Sequence, residues 1–166
     1  MFKAIISLFL WPIWFLYLLI ILPVFLIFIL IVNKKYFHYF LRPMSYFFCL
    51  LGGQLIKQTG IIPDPKDGPY LYLFNHQSLF DHFVIGTYIN HYVTAVAKHE
   101  HLSYPLWGQV AKFYGIVPIN RTNIKKALSS LKVVEDSIVN DKASVLIAPE
   151  GTRTRDGDLG IFKKGA

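Results

Sequence analysis

From Ala4 to Asn33 the chain carries no charged side chain. A segment this apolar must satisfy its own backbone hydrogen bonds, and a helix is the form that one segment achieves alone. As a single helix it rises about 45 Å, against a hydrocarbon core of about 30 Å. One span therefore tilts or kinks, with Pro12 and Pro23 the natural places for a bend. A hairpin turning near Pro23 is the alternative, although its arms are too short to cross. A cleaved leader fits poorly, because the run is too long and lacks a small-residue cleavage end. Residues 1–33 are therefore expected to form a membrane anchor, as one helix or a helical hairpin.

All but one of the 17 Lys and Arg, and all 10 Asp and Glu, lie beyond that run. Lys34, Lys35 and Arg42 follow it and Lys3 alone precedes it, a bias that puts the rest of the chain on the cytoplasmic face. With an anchor present, the modest basic excess points to anionic headgroups or phosphorylated lipid rather than nucleic acid. The single cysteine, Cys49, excludes an internal disulfide.

Tyr36 to Leu51, YFHYFLRPMSYFFCLL, is interrupted by Arg42 and Pro43, which argues against a second span. Residues 34–51 suit a helix lying at the bilayer interface; a helix packed on a globular core is the equal alternative. Gly52-Gly53 ends this segment, and residues 52–166 read as a domain. A short strand is expected at Gln54–Gln58, followed by turn chemistry in PDPKDGP (63–69). Strands at Tyr70–Phe74, Val93–Ala97, Ile116–Ile119 and Ser144–Ala148 then alternate with helices. Those helices are expected at Leu79–Ile89, near Pro105–Phe113, and from Asn123 to Val139. Such an order implies an α/β layer fold with a largely parallel sheet. The chain stops just after a loop, with no closing element, so the domain is expected to be C-terminally incomplete.

Between the first strand and the first helix of this alternation lies NHQSLFD (75–81). Ser78-x-x-Asp81 matches a capping box, which makes Asn75 and His76 plain loop residues. The other reading is catalytic. On one continuous helix, residues five apart diverge by about 140°, so His76 and Asp81 meet only if His76 sits in the turn before the helix. The strand–turn–helix order supplies that turn. Asp81 then accepts the Nδ1 proton of His76 and leaves Nε2 free as a general base. The two readings are compatible, since one aspartate can do both. Ser78 is too near His76 in sequence for the usual triad, and there is no G-x-S-x-G elbow. His99 and His101 flank Glu100 without the spacing of a zinc site, so no metal is expected.

Two further stretches matter. GIVPINR (115–121) runs a short strand into Arg121, and APEGTR (148–153) ends the last strand. Alone, each reads as a capped or turning strand end. Together and in this order with NHQSLFD, they resemble the glycerolipid acyltransferase family that includes 1-acyl-glycerol-3-phosphate acyltransferases. That family carries N-H-x4-D, then G-x-x-x-I-[DN]-R, then F-P-E-G-T-R. The resemblance covers roughly Gly52 to Ala166. Two positions depart from it: Ala148 stands where Phe is usual, and Pro118 where Phe or another apolar residue is usual. The family's fourth block, an apolar V-P-I-V-P-V-like strand, would follow Ala166, so the chain resembles the N-terminal part of such an enzyme.

The resemblance implies transfer of a fatty acyl group from acyl-CoA or acyl-carrier protein to the free hydroxyl of 1-acyl-glycerol-3-phosphate. The donor is a substrate, and no cofactor is implied. His76 would be the base and Asp81 its orienting carboxylate. Arg121 and Arg153 would grip the acceptor's phosphate bidentately. Gly151 would permit close backbone approach and the Thr152 hydroxyl would add a donor. Glu150, unable to bind phosphate, would accept from a glycerol hydroxyl or orient an arginine. Other lysophospholipid or glycerol-3-phosphate acceptors, or an inactive lipid-binding fragment, are the alternatives.

Overall fold

The computed structural model describes residues 2–120, 124–154 and 157–163. The apolar run forms one helix, α1 (Phe2–Ile31), which passes through both Pro12 and Pro23. Each proline forfeits one backbone bond; opening the helix in an apolar setting would strand several more. The chain reverses not at Pro23 but in a 3₁₀ turn at Lys34–Tyr36, capped by the Asn33 side chain, which accepts from Lys35 N at 3.2 Å.

The second helix, α2 (Phe37–Leu51), returns antiparallel along α1. Trp14 Nε1 donates to Phe48 O at 3.2 Å, Tyr17 Oη donates to Met44 O at 2.8 Å, and the Phe25 and Phe40 rings stack at 5.3 Å. α2 buries Phe37, Met44, Ser45, Phe48 and Cys49 and leaves Tyr39, Tyr46, Phe47 and Leu50 exposed. It thus packs on the core and also presents an outward aromatic face. α1 has the same two sides: Phe25 and Ile29 are buried, while Leu8, Phe9, Phe15, Leu16, Leu19, Ile27 and Ile31 are exposed. Among the described residues, Ile6–Ile31 is the one helical segment long and apolar enough to cross a membrane.

Besides short 3₁₀ turns at Pro65–Asp67 and His99–Ser103, the remaining elements are β1 (Leu71–Leu73), α3 (Asp81–Gly86), β2 (Val93–Lys98), α4 (Trp107–Tyr114), β3 (Val117–Ile119), α5 (Ile124–Asn140) and β4 (Ser144–Ile147). The four strands make one parallel sheet in the order β1-β4-β2-β3. Moving from β1 to β2 and from β2 to β3 goes one way across the sheet; moving from β3 to β4 goes back. With right-handed crossovers, α3 and α4 fall on one face and α5 on the other. The side chains agree with that placement. Val93, Ala95 and Leu146 pack with Ile85 and Ile89, whereas Val145 and Val117 pack with Val134 and Ile138. A third cluster joins Phe25 and Ile29 of α1 to Phe37 and Met44 of α2 and to Val110 and Tyr114 of α4.

Gln54–Gln58 is not a strand. Its alternation has no neighbouring strand to pair with; Leu55 is 89% exposed and the backbone of Gln54 is spent capping α2 through Cys49 O at 2.9 Å. α3 is shorter than expected, with turns at 79–80 and 87–88 on either side. Pro118 sits in β3, the edge strand, where a residue without an N–H leaves no interior ladder bond unmade.

Candidate active site

β1 and β4 are neighbours in the sheet although they lie far apart in sequence, and Phe74 N donates to Ile147 O at 3.2 Å where they end. The loops leaving their carboxyl ends, 75–80 and 148–154, therefore emerge side by side, where open parallel sheets hold their ligands.

In the first loop, the Asp81 carboxylate turns back over the start of α3. Its Oδ2 accepts three N–H groups: His76 Nδ1 at 2.8 Å, Gln77 N at 2.9 Å and Ser78 N at 2.9 Å. The Ser78 hydroxyl completes the cap by accepting from Phe80 N at 3.1 Å. Capping and imidazole orientation thus use the same oxygen. With a carboxylate at Nδ1, that nitrogen carries the proton and Nε2 holds the lone pair. Both side chains are mostly covered, 19% exposed for His76 and 16% for Asp81.

The His76 ring meets two others edge to face, Phe74 at 5.6 Å and His82 at 5.8 Å. His82 titrates below the ordinary histidine range, because the protein packed around it disfavours the charged ring and His76 adds to that effect. The residue as a whole still reaches solvent. His82 also lines an apolar cavity of about 130 Å³ with Leu22, Leu41, Met44, Trp107 and Leu146. Phe80, at the end of the loop, wedges between Phe48 at 5.1 Å and Trp14 at 6.1 Å, which fastens the loop to the α1–α2 hairpin.

The second loop holds the first by its backbone. Glu150 is 2% exposed, and both its oxygens are engaged: Oε1 accepts from His76 N and Oε2 from Gly160 N, each at 2.8 Å. A buried carboxylate costs several kcal/mol unless paired or hydrogen-bonded, and here two main-chain donors carry that burden. Thr154 N donates to His76 O at 2.9 Å, and Gln77 Nε2 donates to Gly157 O at 2.8 Å. Lys163 N donates to Pro149 O at 2.9 Å and closes the segment on itself. Gly151 sits at φ +69°, a left-handed turn that glycine adopts without penalty.

Of the residues singled out by sequence, His76, Asp81, Glu150 and Gly151 lie together in these two loops. Thr152 and Arg153 are exposed beside them, immediately before the Thr154–His76 bond in sequence. Arg121 lies outside the described residues. Lys98, at the end of β2, makes a surface ion pair with Glu100 at 3.2 Å. Thr154, Gly157 and Gly160 went unremarked as individual residues, since a backbone N–H or C=O leaves no signature in residue type. His82 follows Asp81 directly and was also missed.

The family model described as Acyltransferase matches residues 55–166. The 1-acyl-sn-glycerol-3-phosphate acyltransferase of Cocos nucifera is 40% identical over 95 residues, covering 57% of this chain and 31% of its own length. The chloroplastic LPAT1 of that name from Arabidopsis thaliana is 30% identical over 134 residues, covering 80% and 37% respectively. The one named beta from Homo sapiens is 29% identical over 134 residues, covering 81% and 47%. The chain spans about a third of the length of the first two. No solved structure matches.

Proposed function

The chain belongs to the acyltransferase family, and on that premise we propose that it transfers a fatty acyl group from a thioester to the free hydroxyl of 1-acyl-glycerol-3-phosphate, forming phosphatidic acid. The observation that carries the reading is the 2.8 Å contact from His76 Nδ1 to a carboxylate already fixed by two backbone donors.

In this reading Nε2 takes the proton of the acceptor hydroxyl as its oxygen attacks the thioester carbonyl. The tetrahedral adduct collapses by breaking the carbon–sulfur bond, and the imidazolium returns the proton to the departing thiolate. Asp81 keeps the imidazole in the correct tautomer and stabilises the cation while it exists. The thioester is already activated, so no acyl-enzyme is needed. Arg153, and Arg121 by family likeness, offer guanidinium forks to the acceptor's phosphate. The apolar cavity beside His82 accommodates hydrocarbon from one of the acyl chains. The donor is acyl-CoA or acyl-carrier protein.

The membrane reading follows from how α1 is used. Its stretch from Trp14 to Ile29 is packed on α2 and α4, so a full crossing would drag the domain into the bilayer. What projects beyond Leu10, whose side chain lies against Gly53, is Phe2–Phe9, about 12 Å of helix, within the roughly 15 Å of one leaflet. The hairpin therefore enters one leaflet with its outward apolar face, and His76, tied to it through Phe80 and Trp14, works at that surface. The domain lies on the cytoplasmic face, toward which Lys34, Lys35 and Arg42 bias it.

The test is thiol release from acyl-CoA by the purified chain in lipid vesicles. Release that requires lysophosphatidate, with phosphatidate formed in equal amount, is the expected result. Release independent of acceptor, or none, overturns the proposal.

A further inference from the structure

Glu150 is the most deeply buried carboxylate of the site, and nothing about its placement suits a substrate ligand. At 2% exposure it has no oxygen to offer a ligand. Both oxygens are taken by main-chain donors from segments that lie 74 and 10 residues away in sequence. One of those donors is the backbone N–H of His76 itself. The other belongs to Gly160, a position with no space for a side chain: a Cβ there would stand 2.8 Å from Glu150 Oε2 and 3.3 Å from Thr154 Cγ2. The carboxylate cannot retreat from such a contact without releasing one of its two donors.

We propose that Glu150 is a positioning residue whose carboxylate, seated on Gly160, locks the His76 loop to the 149–163 segment. It is then not a substrate ligand. Three further bonds close the same unit: Thr154 N to His76 O, Gln77 Nε2 to Gly157 O, and Lys163 N to Pro149 O. His76 is thereby fixed from two directions. Asp81 sets the rotation of its ring, and Glu150 with Thr154 sets the position of its backbone. Arg153 lies within the same segment, so the lock also fixes the distance from base to phosphate grip. The proposal rests on the reading of His76 as the general base, and a misplacement of about 1 Å in such a base costs on the order of 10²-fold in turnover.

Two variants of the full chain in lipid vesicles test this, Glu150→Gln and Gly160→Ala. The glutamine keeps one acceptor oxygen but turns an N–H₂ toward the second donor; the alanine pushes the carboxylate from outside and leaves the sheet untouched. A positioning role predicts that kcat falls about 10- to 100-fold in each while KM for lysophosphatidate stays within about threefold. It also predicts faster amide hydrogen exchange in peptides covering 74–81 and 157–163, since the His76 and Gly160 amides are the donors themselves. A raised acceptor KM with unchanged exchange would make Glu150 a ligand and overturn the lock, as would variants indistinguishable from the parent in both readouts. If the glutamine variant does not fold, the alanine variant decides alone. If the parent shows no acyl transfer, the functional reading falls, and exchange still decides whether the lock exists.

Discussion

Replacing Asp81 by asparagine separates the two tasks of that carboxylate. Of the three N–H groups on Oδ2, those of Gln77 and Ser78 belong to the helix cap and that of His76 to the chemistry. An asparagine amide oxygen in the same place still accepts from both backbone donors, so this back-reaching arm of the capping box is kept in neutral form. A hydrogen bond to a charged group contributes about 1.5–3 kcal/mol and a neutral one about 0.5–1.5, so each retained bond weakens by roughly 1 kcal/mol. Residual solvent exposure of both side chains, 16% and 19%, reduces that further. The expected net loss of stability is about 2 kcal/mol, or roughly 4–8 °C in Tm for a chain of this size. Turnover should fall much further. General base catalysis supplies about 10²–10⁴, equivalent to roughly 3–5.5 kcal/mol, and a neutral amide does not stabilise the imidazolium. The assay is initial-rate thiol release at saturating lysophosphatidate and acyl-CoA, beside thermal unfolding in the same lipid. Asp81→Ala serves as the contrast, since it loses the cap as well and should cost about 1 kcal/mol more. An asparagine variant within fivefold of parental turnover would mean that Asp81 only caps the helix, and the mechanism would fail with it.

Three other outcomes are expected. Arg153→Ala should raise KM for lysophosphatidate at least tenfold with a smaller change in kcat, and no phosphate-specific difference between acceptors would refute the grip. In sealed vesicles carrying the chain on one side, a Lys3→Cys reporter should stay unlabelled by an impermeant thiol reagent added to the opposite side; labelling there would mean that α1 crosses. Stability should fall as pH drops below about 6.5, in part through His91, whose pKa is lowered by burial and by His38. The unfolded chain binds that proton first, so the stability is present above 6.5 and lost on the way down to the folded value. His91→Gln, beside Ser144 and Tyr72, should flatten the Tm decline between pH 7 and pH 5, and an unaltered slope would refute the assignment.

The β-α alternation was legible because buried parallel strands and amphipathic helices leave their periods in the chain, and Val93, Val117 and Val145 all sit where that pattern put them. Gln54–Gln58 misled because alternation reports a side-chain pattern, not the presence of a partner strand. The choice for residues 34–51 could not be made from sequence, since α2 has both a buried stripe and an exposed aromatic face. His76 and Asp81 stood out through their spacing and the turn between them. Glu150 stood out as a residue, but its partners are backbone N–H groups, one of them 74 positions away, and residue identity carries no trace of such bonds.

The strand order has a consequence for how the protein is made. Among the described residues β1 pairs only with β4, and β4 also fills the gap between β1 and β2. A ribosome delivers β1 about 70 residues before β4, at several residues per second. Throughout that interval the first strand has no hydrogen-bonded neighbour, and the histidine behind it has nothing to anchor its main chain. In a nascent chain already resting in lipid, the two loops of the candidate site therefore meet only once β4 slides into place between β1 and β2.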